Sequence, residues 1–502
     1  MGVISQKEIY MGKFNDKRLD KRAMQLSALL YAGKSISIHE ISPNEAEQKG
    51  AYRFLANEKA EESILIKTVK DRSSYLCEGR DVIVLQDTSE FNLDNHRNRL
   101  QPHTGVGLTG NNKDLGFFMH NSLVLDANDE TVLGFSDIQL WHRKEDKLDK
   151  EERKYQNLPI EEKESYKWIK ACDESKEHLK GASSITFVED REGDIYEQFA
   201  TIPDERTHLI IRSRDNRRLS NGGKLFETLS SQAVSGSYNI EIVKDIRKEV
   251  EKRTASVEVR FCKVGIAKPK NLRKPGLADE VSLYAIEVKE IGQTDPANPI
   301  HWRILTTHSI TSYEQAIDII NKYRLRWYIE QLFRLLKKKG FAIESSELER
   351  GWAIRKLTVM ALNAALRVMQ LLLAYDNEQS QPIEQVFDRG EIKCLEQVNK
   401  KLQGDTEKSK NKNNPDTLSW ATWIIARLGG WKNYNSKRPP GPIILKRGLD
   451  KFSSIYEGWN LALSPYLCPN GSLEAGGENA GISHSMQSAQ NHNLTRNCFF
   501  SP

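Results

Sequence analysis

Apolar residues near the start of the chain recur with the spacing of an α-helix. In residues 15–75, charged clusters alternate with apolar positions, and one helical face collects Leu19, Met24, Leu26, Leu29 and Leu30. Such a stripe buries one side of a helix against its neighbours. The pattern predicts a small helical domain over residues 1–70.

From residue 81 the pattern changes to short apolar runs separated by helical segments. Runs with the composition of buried strands occur at 82–85, 123–125, 132–140, 185–188 and 209–211. A charged helical segment over residues 160–179 lies between the third and fourth runs. Strands that alternate with helices predict an α/β fold.

Residues 225–300 follow a third pattern. Polar and apolar residues alternate at 238–243, 256–264 and 281–288, as in an antiparallel sheet with one face in water. Strand texture returns at 302–307. We therefore predict a β-rich insertion at 225–300 within an α/β domain that extends over residues 71–375.

Helical patterns dominate the rest of the chain, over 312–339, over 352–375 and again beyond a polar loop at 404–416. Polar residues interrupt the apolar stretch 358–375, which predicts an amphipathic helix and no membrane span. We predict a C-terminal helical region over 376–463. A disordered tail is expected over 464–502, where Gly, Ser, Asn and Gln replace most charged residues.

Composition, cysteine spacing and net charge limit the classes of protein to which the chain can belong. The chain has 502 residues, 38% hydrophobic and 28% charged, as expected of a soluble globular protein. Its six cysteines show no paired spacing, which argues against a disulfide framework or a zinc site. The first residues lack a signal-peptide core, so we expect a cytoplasmic protein. The net charge of +5 permits a polyanionic partner without requiring one.

Two aspartates end apolar runs. Asp87 closes the run at 82–86, and Asp190 closes the run at 185–189. Either residue alone is more typical of an Asp that caps a turn. Ligands of α/β sheets gather at the carboxyl ends of strands, however, so two aspartates in this setting favour a shared site.

A third acidic candidate lies in the helical pattern at 312–339. At about 100° per residue, one face of this helix would carry Tyr323, Arg326, Glu330 and Lys337. The alternative is a solvated face, because Arg326 and Arg334 stand four residues either side of Glu330 and favour ion pairs within the helix.

The fold could bring the three carboxylates together, and they would then repel one another unless a cation compensated. Mg²⁺ prefers carboxylate and water oxygens and leaves positions open for phosphate. Two such ions clamp the attacking and leaving oxygens of phosphoryl transfer. The set Asp87, Asp190 and Glu330 therefore suggests cleavage or exchange of phosphodiester bonds.

At these residues the chain resembles the DDE transposases of bacterial insertion sequences, specifically insertion-sequence family four and the transposase of transposon five. The signature of that group is Tyr, two residues, Arg, three residues, Glu, six residues and Lys. It occurs here at Tyr323, Arg326, Glu330 and Lys337, after QDTS at Asp87 and EDREGDIY at Asp190. The resemblance extends to about Trp459.

The resemblance implies a ribonuclease H-like core whose Asp87, Asp190 and Glu330 bind Mg²⁺, with Mn²⁺ as a substitute. It further implies that DNA phosphates are held by Tyr323, Arg326 and Lys337. Trp302 looks like the family tryptophan that stacks on a flipped base, and a buried strand tryptophan is the equal alternative. Arg212 and Arg191 are candidate phosphate contacts, with surface salt bridges as the competing interpretation.

The segment 18–37 and the later GAYRFLAN resemble the domain of these transposases that binds transposon ends. DNA contacts would then come from Arg22, Tyr31, Lys34, Ser37 and Arg53. A solvated helical face is an equal alternative for each of them. The family's C-terminal helices form the homodimer that pairs two DNA ends, but residues after 463 do not resemble that region.

The function implied is cut-and-paste transposition. The partners would be double-stranded DNA, both the terminal inverted repeats and the target, and no membrane would be involved. Two alternatives stay open at this point. One is a catalytically silent protein or inhibitor that binds transposon ends, and the other is a simple metal-dependent nuclease.

Overall fold

The structure is a computed structural model that describes residues 9–32, 35–144, 158–242, 253–272, 274–292, 299–337, 340–375, 381–406, 409–432 and 439–463. Within these residues the strands form one mixed sheet of ten strands. They are β1 (Asp81–Asn92), β2 (Gly107–Leu108), β3 (Leu115–Asp126), β4 (Val132–Trp141), β5 (Ser184–Glu189), β6 (Thr207–Arg212), β7 (Gly236–Ile242), β8 (Arg253–Ala267), β9 (Glu280–Ile291) and β10 (His301–Thr306).

Helices pack on both faces of this sheet, and each face has its own hydrophobic cluster. The helices are α1 (Lys17–Ala32), α2 (Ile38–Ile41), α3 (Glu45–Ala56), α4 (Glu62–Leu76), α5 (Tyr166–His178), α6 (Tyr196–Thr201), α7 (Leu225–Ser230), α8 (Tyr313–Arg324), α9 (Trp327–Leu336), α10 (Gly351–Ala374), α11 (Arg389–Leu402), α12 (Leu418–Leu428) and α13 (Pro442–Ala462). The predicted α/β class is confirmed as a mixed α/β fold.

The centre of the sheet is parallel and its flanks are antiparallel. Its strand order is β2-β3-β1-β5-β6-β10-β9-β8-β7, and β4 also pairs with β3. β1, β5 and β6 run parallel to one another, whereas β3 and β10 are antiparallel to their neighbours. The parallel pairing of β1 with β5 runs from Asp81 to Leu85, and β1 continues to Asn92 beyond the end of β5 at Glu189. The middle of β1 therefore lies beside the residues that follow β5.

The alternating pattern of the predicted insertion corresponds to strands β7, β8 and β9. These strands continue the main sheet, because β9 pairs with β10 and β10 pairs with β6. Alternate residues of β8 are buried along much of its length, as expected of a strand with one face covered. The inserted segment is therefore hydrogen-bonded to the α/β core.

Helix α10 lies at the centre of the larger cluster. Helices from the N-terminal part of the chain pack on it, namely α1, α3 and α4, and so do the later helices α9, α12 and α13. α10 is long enough to cross a membrane, and an 18-residue window of it has a mean hydropathy of 1.7. However, 94% of that window is buried inside the protein. The prediction of an amphipathic helix is wrong here, because neighbours on every side bury even Asn363, Arg367 and Gln370.

The helical pattern over 312–339 is divided into α8 and α9. The chain turns at Leu325 and Arg326, whose backbone N–H groups donate to the carbonyls of Lys322 and Tyr323. This tighter bonding changes the helical phase. The prediction of one continuous helix is therefore wrong. Tyr323 is buried and Glu330 is partly exposed, yet Arg326 interacts with both of them.

Two other segments predicted to be helical are helical over most of their described residues. Residues 160–179 form a short 3-10 turn at Ile160–Glu162 followed by α5. The C-terminal helical pattern becomes α11, α12 and α13. The tail predicted over 464–502 lies outside the described residues.

Candidate active site

Asp87 lies within β1, and Asp190 directly follows the neighbouring parallel strand β5 at the same level. Leu85 of β1 lies opposite Val188 of β5, and each aspartate follows two residues later. Side chains two residues apart share a face of a strand. Leu85 and Val188 both belong to the cluster that contains α9, so both aspartates lie on the face covered by that helix.

Helix α9 packs on β1. Arg326, the residue that precedes α9, and Glu330 in its first turn lie close to Asp87. Nη1 of Arg326 lies 3.1 Å from Oδ2 of Asp87, and its Nη2 forms an ion pair with Oε1 of Glu330. One guanidinium therefore links a strand carboxylate to a helix carboxylate 243 positions later in the chain, 330 against 87. The ion pair between Arg326 and Glu330, which was the alternative interpretation of this helix, is present. The same guanidinium also contacts Asp87.

Each aspartate also accepts a hydrogen bond from a nearby backbone N–H, but only Asp190 caps a turn. Oδ1 of Asp190 accepts a hydrogen bond from the Glu192 backbone N–H at 2.8 Å, which caps the 3-10 turn Arg191–Gly193. Oδ1 of Asp87 accepts from the Thr88 backbone N–H at 2.7 Å. The turn-capping interpretation therefore holds for Asp190 and is wrong for Asp87, which lies within β1. For Asp190 it is compatible with a shared site, because the cap uses only Oδ1.

The electrostatics of the site reflect three carboxylates around one cation. Burial raises the pKa of Asp87 to about 7, Arg326 opposes that rise, and Asp190 and Glu330 add to it. Burial lowers the pKa of Arg326, but Tyr323, Asp87 and Glu330 outweigh it and leave that pKa above its ordinary value. The site therefore concentrates negative charge that a cation stabilises.

The donor chemistry of the site fits a hard divalent cation, since Asp87, Asp190 and Glu330 offer carboxylate oxygens that interact electrostatically. In the described part of the chain, however, no group of three or more His, Cys, Asp or Glu side chains is arranged to hold a metal ion as it stands. The Arg326 guanidinium contacts both Asp87 and Glu330. A metal ion that used these carboxylates would have to displace it.

The candidate phosphate contacts lie around this site with different exposures. Tyr323 is buried and interacts with Arg326 and Arg212. Nη2 of Arg212 donates to the His301 carbonyl at 3.4 Å, and burial lowers the pKa of Arg212. Arg191 is exposed on the turn after β5. Nζ of Lys337 lies 5.6 Å from the centre of the Phe91 ring, at the end of β1.

Trp302 is a buried residue of β10 with 6% of its surface exposed. Its ring centre lies 6.4 Å from that of Tyr323, and the two planes are tilted by 57°. These contacts are those of a buried strand tryptophan, the alternative considered for this residue. A flipped base could stack on Trp302 only after its surroundings moved.

The proposed N-terminal DNA contacts do not form one exposed surface. Tyr31 is buried and its hydroxyl donates to the Val386 carbonyl at 3.0 Å. Arg22 is half-buried against α3 and donates to the Gln25 side chain. Ser37 is half-buried at the start of α2, and Arg53 is exposed on α3. Lys34 lies outside the described residues.

Sequence reasoning did not single out a set of buried polar residues behind the two aspartates. We call it the buried polar cluster and define it as Gln86, Cys172, Glu189 and Gln198. Burial raises the pKa of Glu189 to about 8. One sequence signal was available, because Gln86 and Glu189 are polar residues at the ends of otherwise apolar runs, each one position before an aspartate.

Comparisons with known proteins identify two regions of the chain. Residues 4–60 match the family described as Transposase DNA-binding. Residues 168–367 match the family described as Transposase DDE domain, and this region includes Asp190 and Glu330. Strand β1 with Asp87 precedes the second match.

Among solved structures, the chain is similar to one titled "Cryo-EM structure of piggyBac transposase synaptic complex with hairpin DNA (SNHP)". The identity is 10%, the TM-score is 0.31, and the match covers 78% of this chain. The chain spans 57% of the length of that piggyBac transposase chain. The two family matches confirm the expected resemblance at the level of domains: the chain contains a transposase DNA-binding domain and a transposase DDE domain, which support its assignment as a DDE transposase.

Proposed function

We propose that this chain moves a DNA element by cut-and-paste transposition, with metal-dependent hydrolysis, hairpin formation and strand transfer at the element ends. The observation that carries the proposal is the convergence of Asp87, Asp190 and Glu330 on one side of the sheet, with Arg326 between Asp87 and Glu330. These are the acidic residues expected from the DDE signature. Their convergence supports a single site for all the phosphoryl transfers.

The topology supports a ribonuclease H-like core. The strand order β4-β3-β1-β5-β6 contains the parallel set β1, β5 and β6 and the antiparallel strands β3 and β4. We propose that this core lies within residues 71–375, with the β-rich segment 225–300 inserted into it. Residues 1–70 would bind the element ends, and residues 376–463 would form the dimer.

The chemistry assigned to the chain's own residues is positioning and charge stabilisation. Asp87, Asp190 and Glu330 would hold Mg²⁺, or Mn²⁺ in its place. The bound ion supplies positive charge to the phosphoryl oxygens and activates water. Arg326, once released from Asp87 and Glu330, would be free to hold a DNA phosphate beside the site.

Each step exchanges one P–O bond for another. In the first step a water oxygen bonds to phosphorus at the element end, and the 3′ oxygen of the element leaves and takes up a proton. That 3′-hydroxyl then attacks the opposite strand to form a hairpin and displaces the flanking DNA. Water opens the hairpin, and the 3′-hydroxyl finally attacks a target phosphodiester. A carboxylate of the site can accept the proton of each nucleophile.

The test is cleavage of labelled DNA ends, whose sequence comes from the genomic DNA that flanks the reading frame. The wild-type chain is incubated with this duplex and Mg²⁺, and nicked, hairpin and joined products are separated on a denaturing gel. Asp87→Ala, Asp190→Ala and Glu330→Ala should each abolish nicking and keep end binding. The matched control is Glu192→Ala, which removes an exposed acid from the turn next to Asp190.

The products distinguish the alternatives. End binding without any 3′-hydroxyl release by the wild-type chain indicates a silent DNA-binding protein, in which Arg326 keeps its carboxylates closed to metal. Nicking without joined products indicates a simple nuclease. Full nicking by all three alanine variants would refute the assignment of the site. End binding should also weaken as salt rises, because phosphate-bound counterions are released.

A further inference from the structure

The buried polar cluster lies on the side of the sheet opposite to the candidate active site. Gln86 and Glu189 each precede an aspartate by one residue, so their side chains point to the other face. They meet Cys172, which belongs to α5 in the second hydrophobic cluster. Gln86, Cys172, Glu189 and Gln198 have no exposed surface.

The thiol of Cys172 joins the two strands. Its Sγ lies 3.8 Å from Oε1 of Gln86 on β1 and 3.5 Å from Oε1 of Glu189 on β5. Nε2 of Gln198 donates to the same Glu189 oxygen at 2.5 Å. Nε2 of Gln86 donates to the Ser122 hydroxyl on β3 at 3.2 Å. The cluster therefore ties three neighbouring strands and two helices at the level of the aspartates.

The second oxygen of Glu189 faces the turn that carries Asp190. A Cβ placed on Gly193 would lie 1.9 Å from this oxygen, so the carboxyl group is packed against the backbone of the turn. Gly193 closes the 3-10 turn that Asp190 caps. Any shift of Glu189 is thus transmitted to the segment that orients Asp190.

Burying such a polar cluster in a core lowers the stability of the fold. Polar groups removed from water cost free energy unless all of them are paired. Oε2 of Glu189 and Oε1 of Gln198 are buried and have no hydrogen-bond partner among the residues that the structure describes. Apolar residues would fill the same volume at lower cost. Groups behind a metal site, in contrast, are kept because they orient the ligands.

We propose that the buried polar cluster is a positioning device that fixes the spacing of Asp87 and Asp190 for a divalent cation. This inference rests on the proposed function. Cys172 is the central member, because it touches the residue before each aspartate. None of the four residues contacts DNA or the reacting atoms in this role.

The experiment measures Mn²⁺ binding to the full-length chain without DNA, by titration calorimetry and electron paramagnetic resonance. Cys172→Ala should weaken Mn²⁺ binding by roughly 10- to 100-fold, the effect expected when a group that orients metal ligands is removed. Cys172→Ser keeps a donor and should restore part of the affinity. Glu189→Gln, which keeps the shape, should bind more tightly than Glu189→Ala.

The matched control is Cys77→Ala. Cys77 is another fully buried cysteine of the same hydrophobic cluster, and its Sγ donates to the Ser74 carbonyl of its own helix at 3.4 Å. Cys77→Ala should leave a cavity comparable with that of Cys172→Ala and should not change the affinity for Mn²⁺. In the cleavage assay, Cys172→Ala should need more metal for half-maximal nicking and should approach the wild-type rate at saturating metal.

The outcomes separate this inference from the proposed function. If the wild-type chain nicks DNA and binds Mn²⁺, but Cys172→Ala and Glu189→Ala match Cys77→Ala in affinity, the positioning role is refuted and the proposed function stands. A lower rate at every metal concentration with unchanged affinity also refutes it, because that is the signature of general loosening. A wild-type chain that neither nicks nor binds Mn²⁺ overturns both.

Discussion

The contact of Arg326 with Asp87 and Glu330 predicts a specific response to the loss of its charge. Arg326→Met keeps most of the side-chain volume and removes the guanidinium. Asp87 would then lose the cation that opposes the effect of burial on its pKa. The metal-free chain should become less stable, because the carboxylates would face one another without compensation.

The size of the effect follows from exposure. The Arg326 and Asp87 side chains are 18% and 17% exposed, so their contact is largely shielded from water. Hydrogen bonds to charged groups contribute roughly 1.5 to 3 kcal/mol, and we expect a loss in that range. The Glu330 side chain is 36% exposed, and its contact adds little because water screens it.

The assay is unfolding in urea, monitored by tryptophan fluorescence, first in the presence of EDTA and then in the presence of Mg²⁺. Arg326→Met should lower the free energy of unfolding in EDTA, and Mg²⁺ should restore more stability to this variant than to the wild type. The control is Arg334→Met, which changes an exposed arginine of the same helix. In an Asp87→Asn background, Arg326→Met should have a much smaller effect, as a double-mutant cycle requires for contacting groups.

Equal stability of Arg326→Met and Arg334→Met in EDTA would refute this reasoning. So would an undiminished effect of Arg326→Met in the Asp87→Asn background, because the loss would then arise elsewhere. A variant that is destabilised but gains nothing extra from Mg²⁺ would show that a divalent cation does not replace the guanidinium.

Three further predictions concern the core. Burial lowers the pKa of His308 from 6.5 to about 3, so between pH 6.5 and pH 3 this histidine is protonated only in the unfolded chain. The free energy of unfolding should therefore fall by about 1.4 kcal/mol per pH unit below 6.5. His308→Gln should flatten this slope in urea titrations. Arg367→Met should lower stability by about 3 to 5 kcal/mol in thermal and urea denaturation, since Arg367 is buried beside Glu391, and intact stability would contradict this. Gly448→Ala should destabilise by about 1 to 3 kcal/mol, because its Cβ would lie 1.9 Å from the Ile425 carbonyl oxygen. The Cβ of Gly458→Ala, on the same helix, would meet no described atom within 4 Å, so this control should stabilise slightly.

The sequence favoured a shared site for the two aspartates, and the strand register of the structure supplied their relative level. Each ends an apolar run, and a short buried run that alternates with helices is typical of a parallel strand. The equal level of Asp87 and Asp190 follows from the register of β1 and β5. The proximity of Glu330 could not be derived in this way, because nothing in local spacing says which strand a later helix covers. The family resemblance supplied that expectation.

Other features depend on packing that local patterns do not encode. The turn at Leu325 separates two segments with the same helical periodicity, so the pattern alone predicts a continuous helix. Helix α10 contains Arg367 and Gln370, which read as a polar face, yet partners from both ends of the chain bury them. The role of Arg326 between two carboxylates likewise depends on the angle at which α9 crosses β1.

Under the proposed function, the packing of α1, α3 and α4 on α10 has a consequence for attempts to redirect this protein to other DNA ends. These N-terminal helices share one hydrophobic cluster with α10. Their inner faces are therefore matched to a helix that begins inside the region of the DDE match. A chimera that exchanged only the N-terminal segment would leave mismatched surfaces along α10. Retargeting should therefore succeed more often when the facing positions of α10 are exchanged together with the recognition segment.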